Sequence, residues 1–354
     1  MQFVSKYIKM KNNWIFPAEW EKQQGILLCF PHNGNDWPGK YEAVQWAFVE
    51  FIKKVASVEE VILLVADNKL KTKVSGMLEK AHVNLKHVSF IIQKTNRSWM
   101  RDSGPIIVKN GKNRKAINFN FNGWAKYTNY KLDKHVPAKV AEFLNIPLEQ
   151  AVYKGKPVVL EGGAIDVNGK GTLLTSEECL LHPSIQVRNI GFKKADYETV
   201  FKTYLGVTNV IWLGNGIEGD DTHGHIDDLA RFVNENTIIT VVETDTKDAN
   251  YKPLQDNLKR LQASTLENGK QPTIITLPMP KRLDFDGIRI PASYANFLIL
   301  NKTVLVPTFN DANDREALNI IANCFPDREI IGIAATDFIW GFGTLHCLSQ
   351  QIPQ

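Results

Sequence analysis

One local pattern recurs along this chain and restricts what it can become. A short β-like run is followed by a turn containing asparagine, often with glycine, and then by a second β-like run. It reads in "PIIVKNGKNRKAINFNFNGW" from Pro105, and again in "GGAIDVNGKGTLLTSEECLL", "LARFVNENTIITVVE" and "NFLILNKTVLVPTFND". Asn-Gly pairs and their relatives accept the left-handed backbone that a tight hairpin demands. Several of these hairpins lead into a helix-like segment and a further short strand. Such a unit, recurring at long period, is expected to stack with its own copies into a closed, quasi-repeating α/β assembly. If the units close in a ring, the turn at one end of each points to a common axis, and residues distant in sequence meet there.

Ahead of the hairpins, "GILLCF" reads as a strand, "KYEAVQWAFVEFIKKVAS" as a helix, "EVILLVAD" as a strand, "NKLKTKVSGMLEKAH" as a helix and "VSFIIQK" as a strand. A dinucleotide-binding domain is disfavoured because no G-x-G-x-x-G follows the first of these strands. No Pro/Gly/Ser linker marks a boundary, so one domain over residues 1–354 is expected.

The 354 residues are 44% hydrophobic and 23% charged, the profile of a globular chain rather than a disordered one. The formal charge is only +4, and lysines and arginines are interspersed with acids, so no nucleic-acid partner is expected. Apolar runs such as "VILLVAD" are strand-sized, far short of a membrane span. The first stretch, "MQFVSKYIKMKNNW", has no apolar core of the kind a secretory signal carries, and a cytoplasmic location is expected. Cys29, Cys179, Cys324 and Cys347 show no CxxC spacing, which argues against a disulfide framework or a zinc ribbon.

Four stretches place ionisable groups where the pattern otherwise asks for core: "SWMRDSGP", "VVLEGGAID", "GDDTHGHIDDLARF" and the terminal "GFGTLHC". Each has a plain structural alternative. Asp102 could cap a helix or pair with Arg101, Glu161 could cap a strand end, and Cys347 could be a small buried hydrophobe. His225 and Asp227 alternate across Ile226, which on an extended segment puts both on one face. Gly341 and Gly343 before Cys347 suggest a loop that delivers a thiol to a site.

Together, three carboxylates, an imidazole and a thiol suit one substrate class. Asp102 and Asp227 can grip a planar guanidinium bidentately. The Cys347 thiolate can attack its electrophilic carbon, helped by the bound positive charge. His225 can protonate departing ammonia and then deprotonate the water that resolves the thiouronium. Guanidine hydrolysis to a ureido product follows, with no cofactor required.

The motifs, in order from "FPAEWEKQQGILLCFPHN" through "WMRDSGP", "LEGGAIDVNGKGTLLTSEECLL" and "GDDTHGHIDDLARF" to "GTLHCLSQQIP", resemble the agmatine deiminase and bacterial peptidylarginine deiminase group of the guanidino-group-modifying, or pentein, superfamily. The resemblance covers nearly the whole chain. It implies a five-bladed pseudo-symmetric α/β propeller of ββαβ-type units. It also implies Cys347 as nucleophile, His225 as general acid/base, Asp102 and Asp227 as guanidinium-binding carboxylates, and Glu161 as support for His225. Trp99 and Asp221 resemble substrate-pocket residues, Asp221 as a partner for the distal amine of agmatine. The implied substrate is agmatine, hydrolysed to N-carbamoylputrescine on the way to putrescine, with arginine or peptidyl-arginine as the alternative; homo-oligomers are common in the group. Where typical agmatine deiminases read T-N-G-H-V-D-N and G-G-G-N-I-H-C, this chain has "THGHIDD" and "GFGTLHC", which alters the surroundings at His223, Asp228, Phe342 and Thr344. His223 is expected either to touch substrate or to pack behind Cys347.

A different class of enzyme competes for the same stretch, because His-x-His-x-Asp can collect a metal. His223, His225 and Asp227 would be the ligands of a metal-dependent hydrolase. The position after Asp227 is Asp228 rather than the histidine such a motif continues with, and the remaining histidines show no second ligand cluster.

Overall fold

The computed structural model describes residues 14–354. All but the last residue of the stretch read as lacking an export signal lies outside the described residues. The expected strand–helix alternation near the beginning is present, as strand Gln23–Cys29, helix Tyr41–Ala56, strand Glu60–Val65, helix Asn68–Lys80 and strand Val88–Ile92. The three strands pair in parallel. Such strands, covered on both faces, read as continuous apolar runs. Helix Tyr41–Ala56 buries Val44, Phe48, Phe51, Ile52 and Val55, a stripe at helical spacing. Asp67 starts the next helix by accepting from Leu70 N at 2.8 Å.

All four hairpins read from the sequence form. They pair Ile106–Asn110 with Asn113–Asn118, Asp166–Val167 with Thr172–Ser176, Ala230–Asn234 with Thr237–Val242, and Leu298–Ile299 with Thr303–Thr308. Each second strand is then joined in parallel by a third: Leu148–Gln150, Asn209–Leu213, Thr273–Pro278 and Glu329–Ala334 respectively. The crossovers run through helices Val136–Leu144, Lys194–Leu205, Tyr251–Gln262 and Asp314–Cys324.

A fifth sheet has the same order but is built from both ends of the chain. Ser349–Pro353 lies antiparallel to Gln23–Cys29, which lies parallel to Glu60–Val65, and Val88–Ile92 adds a fourth strand. The opening β-α-β-α-β stretch is therefore one more copy of the recurring unit, missing only the strand that the far end supplies. Among the described residues no helix is long and apolar enough to cross a membrane.

A short non-strand segment precedes the first strand of every unit. These are helix Met100–Ser103, the 3₁₀ turns Gly162–Ala164 and Ile226–Asp228, the turn before Leu298, and the turn before Ser349. The candidate residues sit on or beside these segments, and the following strands hold them in place.

The last strand is load-sharing rather than peripheral. Ile352 is fully buried with Leu27, Ile62, Ile107 and Val136. Ile352→Ala is expected to cost about 2–5 kcal/mol, the range for a large-to-small core change, and to lower the denaturation midpoint in urea; an unchanged midpoint would place this strand outside the cooperative unit.

Candidate active site

Asp102 does not pair with its neighbour Arg101. Its Oδ2 accepts from Trp124 Nε1 at 2.9 Å and its Oδ1 from Gly163 N at 3.1 Å. Arg101 turns away to donate from Nε to His346 O at 3.2 Å and from Nη1 to Gln351 Oε1. Gly163 permits this approach because a Cβ there would lie 2.5 Å from His225 Nδ1 and 2.9 Å from Asp102 Oδ1.

His225 and Asp227 do meet at one site, but not as the alternating residues of an extended segment. Ile226–Asp228 is a 3₁₀ turn, and His225 precedes it with φ −58° and ψ 140°. The loop is held by Asp220, whose Oδ2 accepts from Gly224 N at 2.7 Å and His225 N at 3.0 Å. A tight turn thus brings together what a strand was expected to. His225 is fully buried, its Nδ1 is 3.8 Å from Asp102 Oδ1, and neither ring nitrogen has a hydrogen-bond partner among the described residues.

Glu161 sits behind His225. It makes no helix-capping bond, and its two oxygens accept from Arg188 Nε at 3.1 and 3.3 Å. Arg188 is anchored in turn by Thr222 O at 2.6 Å, next to the turn that carries His225. Cys179, not singled out in the sequence, joins this group: ligand atoms of Glu161, Cys179 and His225 lie within 4.8 Å of one another.

Cys347 is buried, with its sulfur 3.5 Å from Asp227 Oδ2 and 3.0 Å from Asn296 Nδ2. His346 bridges two carboxylates, Asp227 Oδ2 at Nδ1 (2.7 Å) and Glu19 Oε2 at Nε2 (2.8 Å). Asp227 Oδ1 is left without a partner among the described residues. Asn296 and Glu19 were both missed. Asn296 occupies in its unit the place that Asp102, Glu161 and His225 occupy in theirs, just before the first strand, and that position was the available signal. Glu19 carried no signal, since a lone acid in "FPAEWEK" is indistinguishable from a surface residue.

A cavity of about 250 Å³ opens onto these groups. Asp102 and Cys347 line it, with Trp99, Trp124, Tyr127 and Phe342 as aromatic walls and Asp36, Arg97 and Asp221 among its polar groups. His225, Asp227 and Glu161 stand behind this lining rather than in it. Asp221 is already engaged, accepting from Lys126 Nζ at 2.5 Å and Tyr127 OH at 2.7 Å. His223 is neither a cavity residue nor packed behind Cys347. In the left-handed region at φ 66°, its Nδ1 lies 3.5 Å from Glu178 Oε1 and its ring centroid is 4.9 Å from that of His182. The histidine–aspartate set of a metallohydrolase is thus not gathered: the close ligand groups among the described residues are Glu161–Cys179–His225 and Asp227–Asp228–Cys347.

Burial and neighbouring charge set the protonation pattern. Burial pushes the Asp102 carboxyl up to about 6, with His225 opposing and Asp227 and Glu161 reinforcing. Asp227 goes the other way: burial alone would raise it, but the bond and charge of His346 hold it below its ordinary value. Burial would lower His225, yet Asp102, Cys179 and Asp227 together outweigh it and raise the imidazole well above its usual range. Burial and then the fields of Asp227, Asp228 and Asp102 push the Cys347 thiol well up. In the empty cavity the sulfur is therefore a thiol beside an excess of negative charge, a setting that a cation relieves.

The Porphyromonas-type peptidyl-arginine deiminase family model matches residues 15–353. The agmatine deiminase of Enterococcus faecalis superimposes with a TM-score of 0.89 at 30% identity, covering 97% of this chain and 96% of that one. A cysteine-to-serine variant of the C. jejuni agmatine deiminase, with substrate bound, gives 0.85 at 32% identity and 96% coverage of both chains. A Lactococcus lactis relative bearing a provisional agmatine deiminase name is 34% identical over 96% of this chain and 95% of its own. The mixed α/β architecture, the four ordered motifs and these matches agree, and the chain belongs to the Porphyromonas-type peptidyl-arginine deiminase family of guanidino-group hydrolases.

Proposed function

We propose that this protein hydrolyses the guanidinium group of agmatine, giving N-carbamoylputrescine and ammonia. One observation carries the reading: the Cys347 sulfur lines a narrow aromatic cavity beside two buried aspartates, one of which, Asp227, keeps a free oxygen. The five sheets of one strand order support a single domain built as a five-bladed α/β propeller, with the active site at its axis.

Asp102 and Asp227 accept the N–H groups of the guanidinium, and Trp99 flanks it. The bound cation offsets the negative field on Cys347, so the thiol releases its proton to solvent where the electrophilic carbon is presented. Sulfur attack gives a tetrahedral adduct, and His225, protonated in the free enzyme, donates its proton to the departing ammonia. The neutral imidazole then takes a proton from water, whose oxygen adds to the thiouronium carbon. Collapse expels the Cys347 sulfur, which takes up the hydroxyl proton, and leaves the ureido product. Glu161, fixed by Arg188, holds His225 in its turn. The carbon–sulfur bond formed in the first half is broken in the second, so the net reaction consumes one water and releases one ammonia.

The charge of the cavity supports agmatine over arginine. Of the carboxylates lining it, Asp36 is paired with Arg97 at 2.5 Å and Asp221 with Lys126 at 2.5 Å, which leaves the charge of Asp102, with Asp227 behind it, for the substrate. A dication enters such a field more favourably than a molecule that brings a carboxylate of its own.

Ammonia release is expected to be fastest with agmatine, slower with arginine and with an arginine-containing peptide, and absent in Cys347→Ala; a peptide preference would overturn the substrate, and an active Cys347→Ala the mechanism. The acid side of the pH profile follows from Asp102. Its carboxylate is neutralised as pH falls through about 6, so kcat/KM should decline below that pH. The corresponding limb of kcat should lie at lower pH, because a bound guanidinium favours the charged form. Asp102→Asn should lower kcat/KM about a hundredfold or more and abolish that limb. Gly163→Ala should leave the fold intact by circular dichroism yet cut kcat sharply, since the added methyl displaces His225 or Asp102.

A further inference from the structure

The geometry points to Asn296 as a catalytic residue that donates a hydrogen bond to the Cys347 sulfur and so holds the thiolate, with Asp228 sharing the same amide. This rests on the reading of Cys347 as nucleophile. Asn296 is almost wholly buried, and its side-chain orientation is dictated by its neighbours. Its Oδ1 faces Thr344 Oγ1 at 2.7 Å, His346 N at 3.1 Å and Cys347 N at 3.4 Å. Backbone N–H groups can only donate, so the atom facing them is the oxygen and the amide nitrogen is turned the other way. That nitrogen lies 3.0 Å from Cys347 Sγ and 3.0 Å from Asp228 Oδ1. Its two hydrogens match these two acceptors, one each.

The donor matters because the sulfur is otherwise surrounded by acids. Asp227 lies 3.5 Å away, Asp228 belongs to the same close cluster, and Asp102 faces it across the cavity. The charged groups of opposite sign act mainly elsewhere. His346 is engaged by Asp227 and Glu19, His225 faces Asp102, and Arg101 binds the backbone carbonyl of His346 and Gln351. Asn296 is the neutral group that gives the thiolate a directed hydrogen bond without adding charge, so it leaves the site's attraction for a cation intact. Burial, with Asp227 and Asp220 reinforcing, raises the Asp228 carboxyl well above the usual carboxylate range. When it ionises it draws the amide and repels the sulfur together.

The test reads thiolate directly, without turnover. Iodoacetamide is added to the full chain in a Cys324→Ser background at pH 8, and the adduct at Cys347 is located by peptide mass mapping. Asn296→Leu matches the side chain in size and, unlike Asn296→Asp, removes the donor without adding charge. Its alkylation rate should fall about three- to fifteenfold, the loss of a hydrogen bond to a charged acceptor tempered by the greater nucleophilicity of a more basic thiolate. Asp228→Asn should raise the rate. Opposite directions support the assignment; an unchanged rate in Asn296→Leu, or a fall in both variants, overturns it. Absence of ammonia release from every guanidine in the parent protein would defeat the proposed function instead, and leaves the alkylation rates readable.

Discussion

The carboxylate of Glu19 is the point on which the centre of the molecule depends. Its Oε2 takes hydrogen bonds from Arg231 at 2.6 Å and His346 at 2.8 Å, and its Oε1 from Ile299 N at 2.7 Å. Arg231 passes the link to Asp166 at 3.1 Å, and His346 passes it to Asp227. Units that converge on one place bring buried charge with them, and bare charge in a core costs several kcal/mol per ion. The pairing absorbs that cost: Arg231, His346 and Arg101 offset the burial of Glu19 and hold its carboxyl well below the ordinary range. Glu19 thereby ties the segment before the first strand to the third, fourth and fifth units and to the turn that carries Cys347.

From this arrangement comes an unequal treatment of the two aspartates proposed to bind substrate. Asp227 is attached to the compensated network through His346 and stays ionised. Asp102 has only neutral donors, Trp124 and Gly163, and its carboxyl rises. Two like carboxyls near one sulfur can share a single cation without both repelling the thiolate at full strength, because their environments separate their titrations.

The recurring unit explains how so many groups come into reach. The antiparallel pair of each recurring unit is entered from a short turn, so the same local device is used five times with different side chains: Asp102, Glu161, His225 with Asp227, Asn296 and Cys347. Repetition supplies positions, and divergence of residue type at those positions supplies the chemistry. The fifth unit also fixes Cys347, the proposed nucleophile. Cys347 is two residues from a strand that is hydrogen-bonded to Gln23–Cys29, so the tail is anchored as firmly as the core.

Much of this was legible in the linear chain. Asparagine turns between β-like runs marked all four internal hairpins, because turn chemistry is local. The four chemical motifs were visible because acids, a thiol and an imidazole interrupted apolar surroundings. Other features were settled only by folding. The pairing of the last strand with the first joins residues at opposite ends of the chain, and no local pattern encodes it. The turn at Ile226–Asp228 replaced an expected extended segment because Asp220 and Asp228 find their partners in three dimensions. His223 went to Glu178 and His182, and Glu19 and Asn296 acquired importance solely through what packs on them. The sequence by itself determined the units and the kind of chemistry they bear, since backbone preference and residue type are carried by neighbours in the chain. The tertiary structure decided which groups meet and in what charge state, since burial and Coulomb fields depend on distance in space.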